Sequence, residues 1–201
     1  CVNNLTQLGL AVQNYETAHL VYPAGTLATS GPIVNTASGY HHNWLTHVLP
    51  YIEESTTYQH IDFSVGVYDA ANAAVRMVNV EVFRCPSDGG QPANAAPSNY
   101  AGLHHDVDAP IDTDNNGVFF LNSYLRYEDI SDGSTHTIFV GEKLVEPQSD
   151  LGWMSGTRWT LRNTGFPINQ ATPTAAGAAA PVAVGGFSSY HPGGANFVFG
   201  D

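Results

Sequence analysis

Residues 1–25 read CVNNLTQLGLAVQNYETAHLVYPAG, and this stretch decides the fold class. Leu5, Leu8, Val12 and Tyr15 recur at steps of three and four residues, the apolar stripe of an amphipathic helix. Tyr22-Pro23 should end that helix, because proline disfavours helical geometry in the residue before it. Cys1-Val2 carries no start signal, so residues 1–21 are expected to be the remnant of an N-terminal spine helix that continues upstream.

The texture after the helix is different. Residues 26–40 are rich in Gly, Ser, Thr and Pro and read as a loop. Leu45, Val48, Leu49 and Ile52 form a second helical stripe, in which Pro50 either kinks the helix or opens a new one. Asp69–Val78 reads as a third, shorter helix. Beyond it, Val80–Phe83, Gly117–Leu121, Thr137–Gly141 and Trp153–Leu161 are rich in Val, Phe, Trp and Thr between turn residues, as strands are. Phe187–Tyr190 and Asn196–Phe199 flank His191-Pro192-Gly193-Gly194, which predicts a final hairpin with His191 as a structural residue. Helices first and strands after predict an α+β fold: one domain over residues 1–201, its N-terminal helix packed on an antiparallel sheet, with short extra helices and long loops. Residues 170–186 are low-complexity and predict a surface loop.

Charge narrows the function classes. Eighteen acidic residues stand against six basic ones, for a net charge of −12. Nucleic acids and anionic membranes require basic patches, so neither is an expected partner. Few lysines and a polar, uncharged surface suit an extracytoplasmic protein. The even pair Cys1 and Cys85 permits one disulfide, which an extracytoplasmic setting favours. Two buried thiols, or a lipidated Cys1, are the rival readings.

The sharpest chemical signal is the run DVDAPIDTDNNG at 106–117. Asp112, Asp114 and Asn116 place oxygens at alternate positions before Gly117, as in the first half of a calcium loop, with a backbone carbonyl near Val118 as a further ligand. The bidentate Glu that such a loop needs at its twelfth position is replaced by Ser123, so Asp106 and Asp108 would have to complete a Ca²⁺ shell. A solvated Asp/Asn turn is the plainer alternative. The histidines are scattered or adjacent, as in His41-His42 and His104-His105, without His-Glu-x-x-His or Cys-x-x-Cys spacing. Gly-x-Ser-x-Gly is absent as well, so no catalytic site is expected.

Taken in order, these segments resemble a family. The opening stretch, NWLTHVLPYIEESTTY, FRCPSD, SNYAG, NGVFF, YEDISDGSTHTIFVGE and HPGGANFVFGD are similar to successive blocks of a pilin-like family of unknown function abundant in planctomycete bacteria. The resemblance implies a prepilin-type leader and an apolar helix upstream, and a C-terminal strand running past the last residues. Relatives are often labelled G-type pseudopilins of type II secretion, and some carry a solute-binding label. It implies a structural subunit of an extracellular filament, pseudopilus or envelope assembly, partnered by copies of itself or by other pilin-like subunits. A membrane would be met only through the upstream helix. The alternatives are a calcium-dependent or glycan-binding cell-surface module and, third, an envelope hydrolase.

Overall fold

The computed structural model describes residues 1–170 and 181–200. Most of the predicted 170–186 loop, and Asp201, lie outside the described residues. The N-terminal helix, α1, runs over Val2–His19 and buries Leu5, Leu8, Ala11 and Val12, the expected stripe with Ala11 added. It stops at Leu20, whose left-handed backbone (φ 61°) turns its N–H back onto the Glu16 carbonyl, two residues before Tyr22-Pro23.

Four strands form the sheet: β1 (Tyr100–His105), β2 (Ile138–Glu142), β3 (Leu161–Asn163) and β4 (Phe197–Phe199), in the order β3-β1-β2-β4. The α+β class holds. The sheet, however, is mixed rather than antiparallel: β2 runs antiparallel to β1 and β4, but β3 pairs parallel to β1. The long connection after β2 returns the chain to the end of the sheet where β1 began, and a strand entering from that end can only run parallel.

Helix α1 lies across β2 and β4. Gly9 faces Val198 so closely that a Cβ there would sit 2.8 Å from the valine Cγ2, which is why the crossing has a glycine in mid-helix despite its cost. Gln13 fastens the same crossing by donating to the Gly200 carbonyl at 2.7 Å. The main core unites Leu5, Leu8 and Val12 with Trp44, Phe83, Tyr100, Phe119, Phe139 and Trp153. A smaller cluster of Ala101, Leu103 and Phe187 lies apart from it.

Between α1 and β1 the chain makes only short helices. Pro50 opens a new one: α2 (Trp44–Val48), capped by the Asn43 side chain, gives way to a 3-10 turn over Leu49–Ile52 with Pro50 in its first turn. Next come α3 (Ser55–Gln59) and α4 (Ala73–Arg76), the latter led in by a 3-10 turn capped by Asp69.

Four predicted strands are corrected. Val80–Phe83 holds a 3-10 turn over Glu81–Phe83, because its two buried residues, Val80 and Phe83, are three apart and so share one side of a tight turn rather than alternating. Gly117–Leu121 bends at Gly117–Phe119 and carries no ladder; the Gly117 and Phe119 N–H groups donate to the His104 and Leu103 carbonyls, and Leu121 makes a single bridge to Thr26. Trp153–Leu161 is a chain of turns. Its hydroxyls compete for the backbone: Thr160 Oγ1 donates to the Ser155 carbonyl at 2.7 Å, and Ser155 and Thr157 hydroxyls bond each other. Only Leu161 reaches a strand. Of the final hairpin, Phe197–Phe199 is a strand and Phe187–Tyr190 is not, although Ser188 N–H donates to the Glu142 carbonyl beside it.

Candidate functional site

Several of the segments that carry the family resemblance meet at the N-terminus of α1. Cys1, at that N-terminus, forms a disulfide with Cys85, which follows the Glu81–Phe83 turn. The bond joins residues 84 apart in sequence. Each flank of it is pinned. Asn4 donates to the Arg84 carbonyl at 2.7 Å, and the Tyr100 hydroxyl donates to the Cys1 carbonyl at 3.3 Å. Cys85 N–H donates to Asn99 Oδ1 at 2.9 Å, while Asn99 Nδ2 donates to Asp88 Oδ2 at 2.7 Å. Asp88, 6% exposed, also accepts from the Val145 and Gly90 N–H groups. Short Asp and Asn side chains suit this knot because they reach backbone groups only a few atoms away.

Glu142, the last residue of β2, is 2% exposed and points at the disulfide. Its Oε2 accepts from both the backbone N–H and the side-chain amide of Asn196, at 2.7 and 3.0 Å. Its Oε1 lies 3.1 Å from His191 Nε2 and 4.0 Å from Cys85 Sγ. His191 Nε2 is in turn 3.4 Å from the same sulfur. The predicted His-Pro-Gly-Gly turn delivers this ring: His191 N–H donates to Ser189 Oγ at 2.8 Å, and Gly193 adopts a φ of 88° open to glycine. His191 is therefore paired with Glu142. Its partner, 49 residues upstream by subtraction of 142 from 191, left no spacing signal in the sequence.

Potential ligand atoms of Cys1, Cys85, Glu142 and His191 all lie within 4.8 Å of one another. Among the described residues this is the one group of three or more His, Cys, Asp or Glu so arranged. The predicted calcium residues are not. Asp112 Oδ1 accepts from Thr113 N–H at 2.8 Å, and Asp112 N–H donates to Asn115 Oδ1 at 2.9 Å, so the loop is held by its own side chains. Asn116 Oδ1 accepts from His105 Nδ1 and Asp106 N–H, and Asp106 also pairs with His105 at 2.9 Å. Asp108 lies 3.4 Å from the Asn163 amide, Asp114 is exposed, and the Val118 side chain is buried in the core. Asn115, which the calcium reading passed over, holds the loop by accepting from buried His104 at 2.9 Å.

A second polar cluster surrounds Trp159. Three of the six basic residues, Lys143, Arg158 and Arg162, stand within 4.5–6.0 Å of its ring. Arg158 forks onto Glu146 at 2.8 and 3.0 Å. Lys143 pairs with Asp150, both side chains wholly buried. Burial pushes the Lys143 ammonium down and Asp150 opposes that. Burial likewise lowers Arg162, to about 10. Two histidines are held neutral: burial takes His104 and His47 down to about 4, with neighbouring cationic or histidine groups acting in the same direction.

The family model described as a protein of unknown function (DUF1559) matches residues 1–201, and the chain belongs to that family. No curated protein and no solved structure matches. Among the described residues no helix is long and apolar enough to cross a membrane. The disulfide is consistent with an extracytoplasmic location.

Proposed function

We propose that this member of the family is a structural subunit of an extracellular filament, pseudopilus or other cell-envelope assembly, and not an enzyme. The observation that carries the reading is the two-sidedness of α1. One face is sealed against the sheet, while Val2 and Leu10 stay 62% exposed and Leu20 71% exposed. Singly placed exposed apolar residues are common on any surface, but on this helix, read with the pilin-like resemblance, they are positions that another helix would cover. The resemblance to pilin-like proteins supplies the architecture: upstream apolar helices bundle as a core, and heads such as this one pack around it. The disulfide supports the reading too, because it locks the helix to the head at the point where load would pass from one to the other.

A photo-crosslinking residue at position 10 of the full-length chain, expressed in its own cells, tests this. Ladders of crosslinked pilin-like subunits are expected, and fewer from the same residue at the exposed loop position Tyr190. Crosslinks confined to single chains at position 10 would count against assembly.

One observation favours the alternative of a binding module. A groove of about 660 Å³ runs between Glu146, Arg162, Asn169 and the 64%-exposed Tyr190. An exposed aromatic beside amide and charged groups is the lining that a sugar ring needs. Retention on a glycan array, lost on Tyr190→Ala, is the outcome that would favour it over assembly.

A further inference from the structure

The group at Cys1, Cys85, Glu142 and His191 has a property that a structural disulfide does not require. A bridge that only staples two segments acts by restraining the unfolded chain and needs no polar group aimed at its sulfurs. Here a nearly buried carboxylate and an imidazole nitrogen are both aimed at Cys85 Sγ. The carboxylate is oriented by a second set of bonds: Asn196 occupies Oε2 twice, which leaves Oε1 directed at the sulfur. Fixing a ligand through its other oxygen is how proteins orient metal-binding carboxylates.

We propose that the reduced chain carries a tetrahedral zinc site made of Cys1 Sγ, Cys85 Sγ, His191 Nε2 and Glu142 Oε1, and that disulfide formation and zinc binding exclude one another. The donor set is the kind that zinc takes: two thiolates, an imidazole and a carboxylate. With zinc–ligand bonds of 2.0–2.3 Å, the edges of a tetrahedron come to about 3.3–3.8 Å. The observed separations of 3.1 Å (Nε2 to Oε1), 3.4 Å (Nε2 to Sγ) and 4.0 Å (Oε1 to Sγ) bracket that range before any adjustment. The two edges from Cys1 Sγ to Nε2 and Oε1 lie within the 4.8 Å that encloses all four ligand atoms, and the edge between the sulfurs must lengthen, since a covalent bond holds them much closer than two zinc ligands sit. Breaking that bond lets Cys1, half-buried at the start of α1, swing outward to make room for the ion.

The chemistry balances in both directions. Zinc binding to the two thiols releases two protons, because only thiolates ligate. Oxidation of the loaded site by a disulfide donor converts the two thiolates into the Cys1–Cys85 bond, cleaves the donor's S–S bond into two thiolates with the two electrons released, and frees Zn²⁺. His191 then regains its contact with Glu142, as found here. The site would hold α1 against Cys85 in a newly made chain before its disulfide forms, which protects both thiols and keeps the helix in place.

The test uses the purified chain reduced with a phosphine, which does not itself bind zinc as dithiols do. Cobalt(II) is added as a spectroscopic probe, and zinc is measured after gel filtration. One zinc per reduced chain is expected, with thiolate-to-cobalt charge-transfer absorption and the visible bands of a tetrahedral ion. None is expected for the oxidised chain. His191→Ala and Glu142→Gln should each weaken zinc binding at least about tenfold, in line with the loss of a positioned ligand. A double Cys1→Ser, Cys85→Ser variant controls for ions held loosely by so acidic a protein. If the reduced chain unfolds without metal, circular dichroism decides: zinc must restore the native signal at one equivalent. The proposal is overturned by failure to restore it, by binding equal to that of the serine control, or by His191→Ala and Glu142→Gln variants that bind as tightly as the parent.

Discussion

Replacing both cysteines by serine tests how the head is held to its helix. The Cys1–Cys85 bridge closes a loop spanning 84 residues of sequence separation. In the chain-entropy treatment such a loop restrains the unfolded chain by about 4.5 kcal/mol, since ΔS goes as −2.1 − 1.5R ln n. Loss of sulfur packing at Cys85, 6% exposed, adds to this, while the Tyr100 and Asn4 bonds to Cys1 and Arg84 survive in the folded state. The double variant should therefore unfold at a free energy lower by about 4–5 kcal/mol, and for a chain of this size its Tm should drop by about 10–18 °C. Urea titration followed by tryptophan fluorescence measures the loss, because Trp44 and Trp153 are fully buried in the core. The urea dependence should steepen as well, because an unlinked unfolded chain exposes more surface. A loss below about 1 kcal/mol with an unchanged slope would refute the reasoning. It would mean that the unfolded chain keeps α1 near Cys85 without the bond.

Acid should destabilise the fold through its neutral histidines. His104 is wholly buried and held down to about 4, so the unfolded chain takes up a proton first. Stability is complete above about pH 6.5 and falls as pH drops toward 4, by as much as about 3 kcal/mol from His104. His104→Leu should flatten that slope, and a slope unchanged by the substitution would dismiss the assignment. The buried pair Lys143–Asp150 should show strong coupling: Asp150→Ala alone strands a buried ammonium and costs about 3–5 kcal/mol, whereas Lys143→Met with Asp150→Leu costs far less, as a double-mutant cycle in denaturant would show. Additive effects would contradict a working pair. For calcium, the reading at Asp112, Asp114 and Asn116 requires that millimolar calcium raise the melting temperature and that Asp114→Ala abolish the rise. Identical melting curves in calcium and chelator would leave the loop as a turn held by Asn115.

What the sequence by itself determined was local. The stripe Leu5, Leu8, Val12 placed α1 within a few residues, because helical periodicity is written in neighbours three and four apart. Pro50 opened the turn that its position implied, and Gly193 took the positive φ that His-Pro-Gly-Gly called for. Strands were less legible. Val80 and Phe83, Val118 and Phe119, and Trp153 and Trp159 are apolar because they are buried, and burial does not distinguish a ladder from a packed turn. The parallel pairing of β3 with β1 likewise depends on where a long connection travels, which no short window records. The cluster around the disulfide was half visible. Two cysteines announced a bond, but nothing in IFVGE or ANFVF says that Glu142 and Asn196 meet there. Those residues come together only when β2 and β4 pair, since a hydrogen bond across strands is a property of register rather than of composition. The acidic run shows a related case: its spacing suggests one ion, and in the folded chain Asn116 Oδ1 meets His105 and the Asp106 N–H, Asp112 Oδ1 meets the Thr113 N–H, and Asp114 stays exposed. Side-chain chemistry is readable from sequence, and its partners are chosen by the tertiary structure.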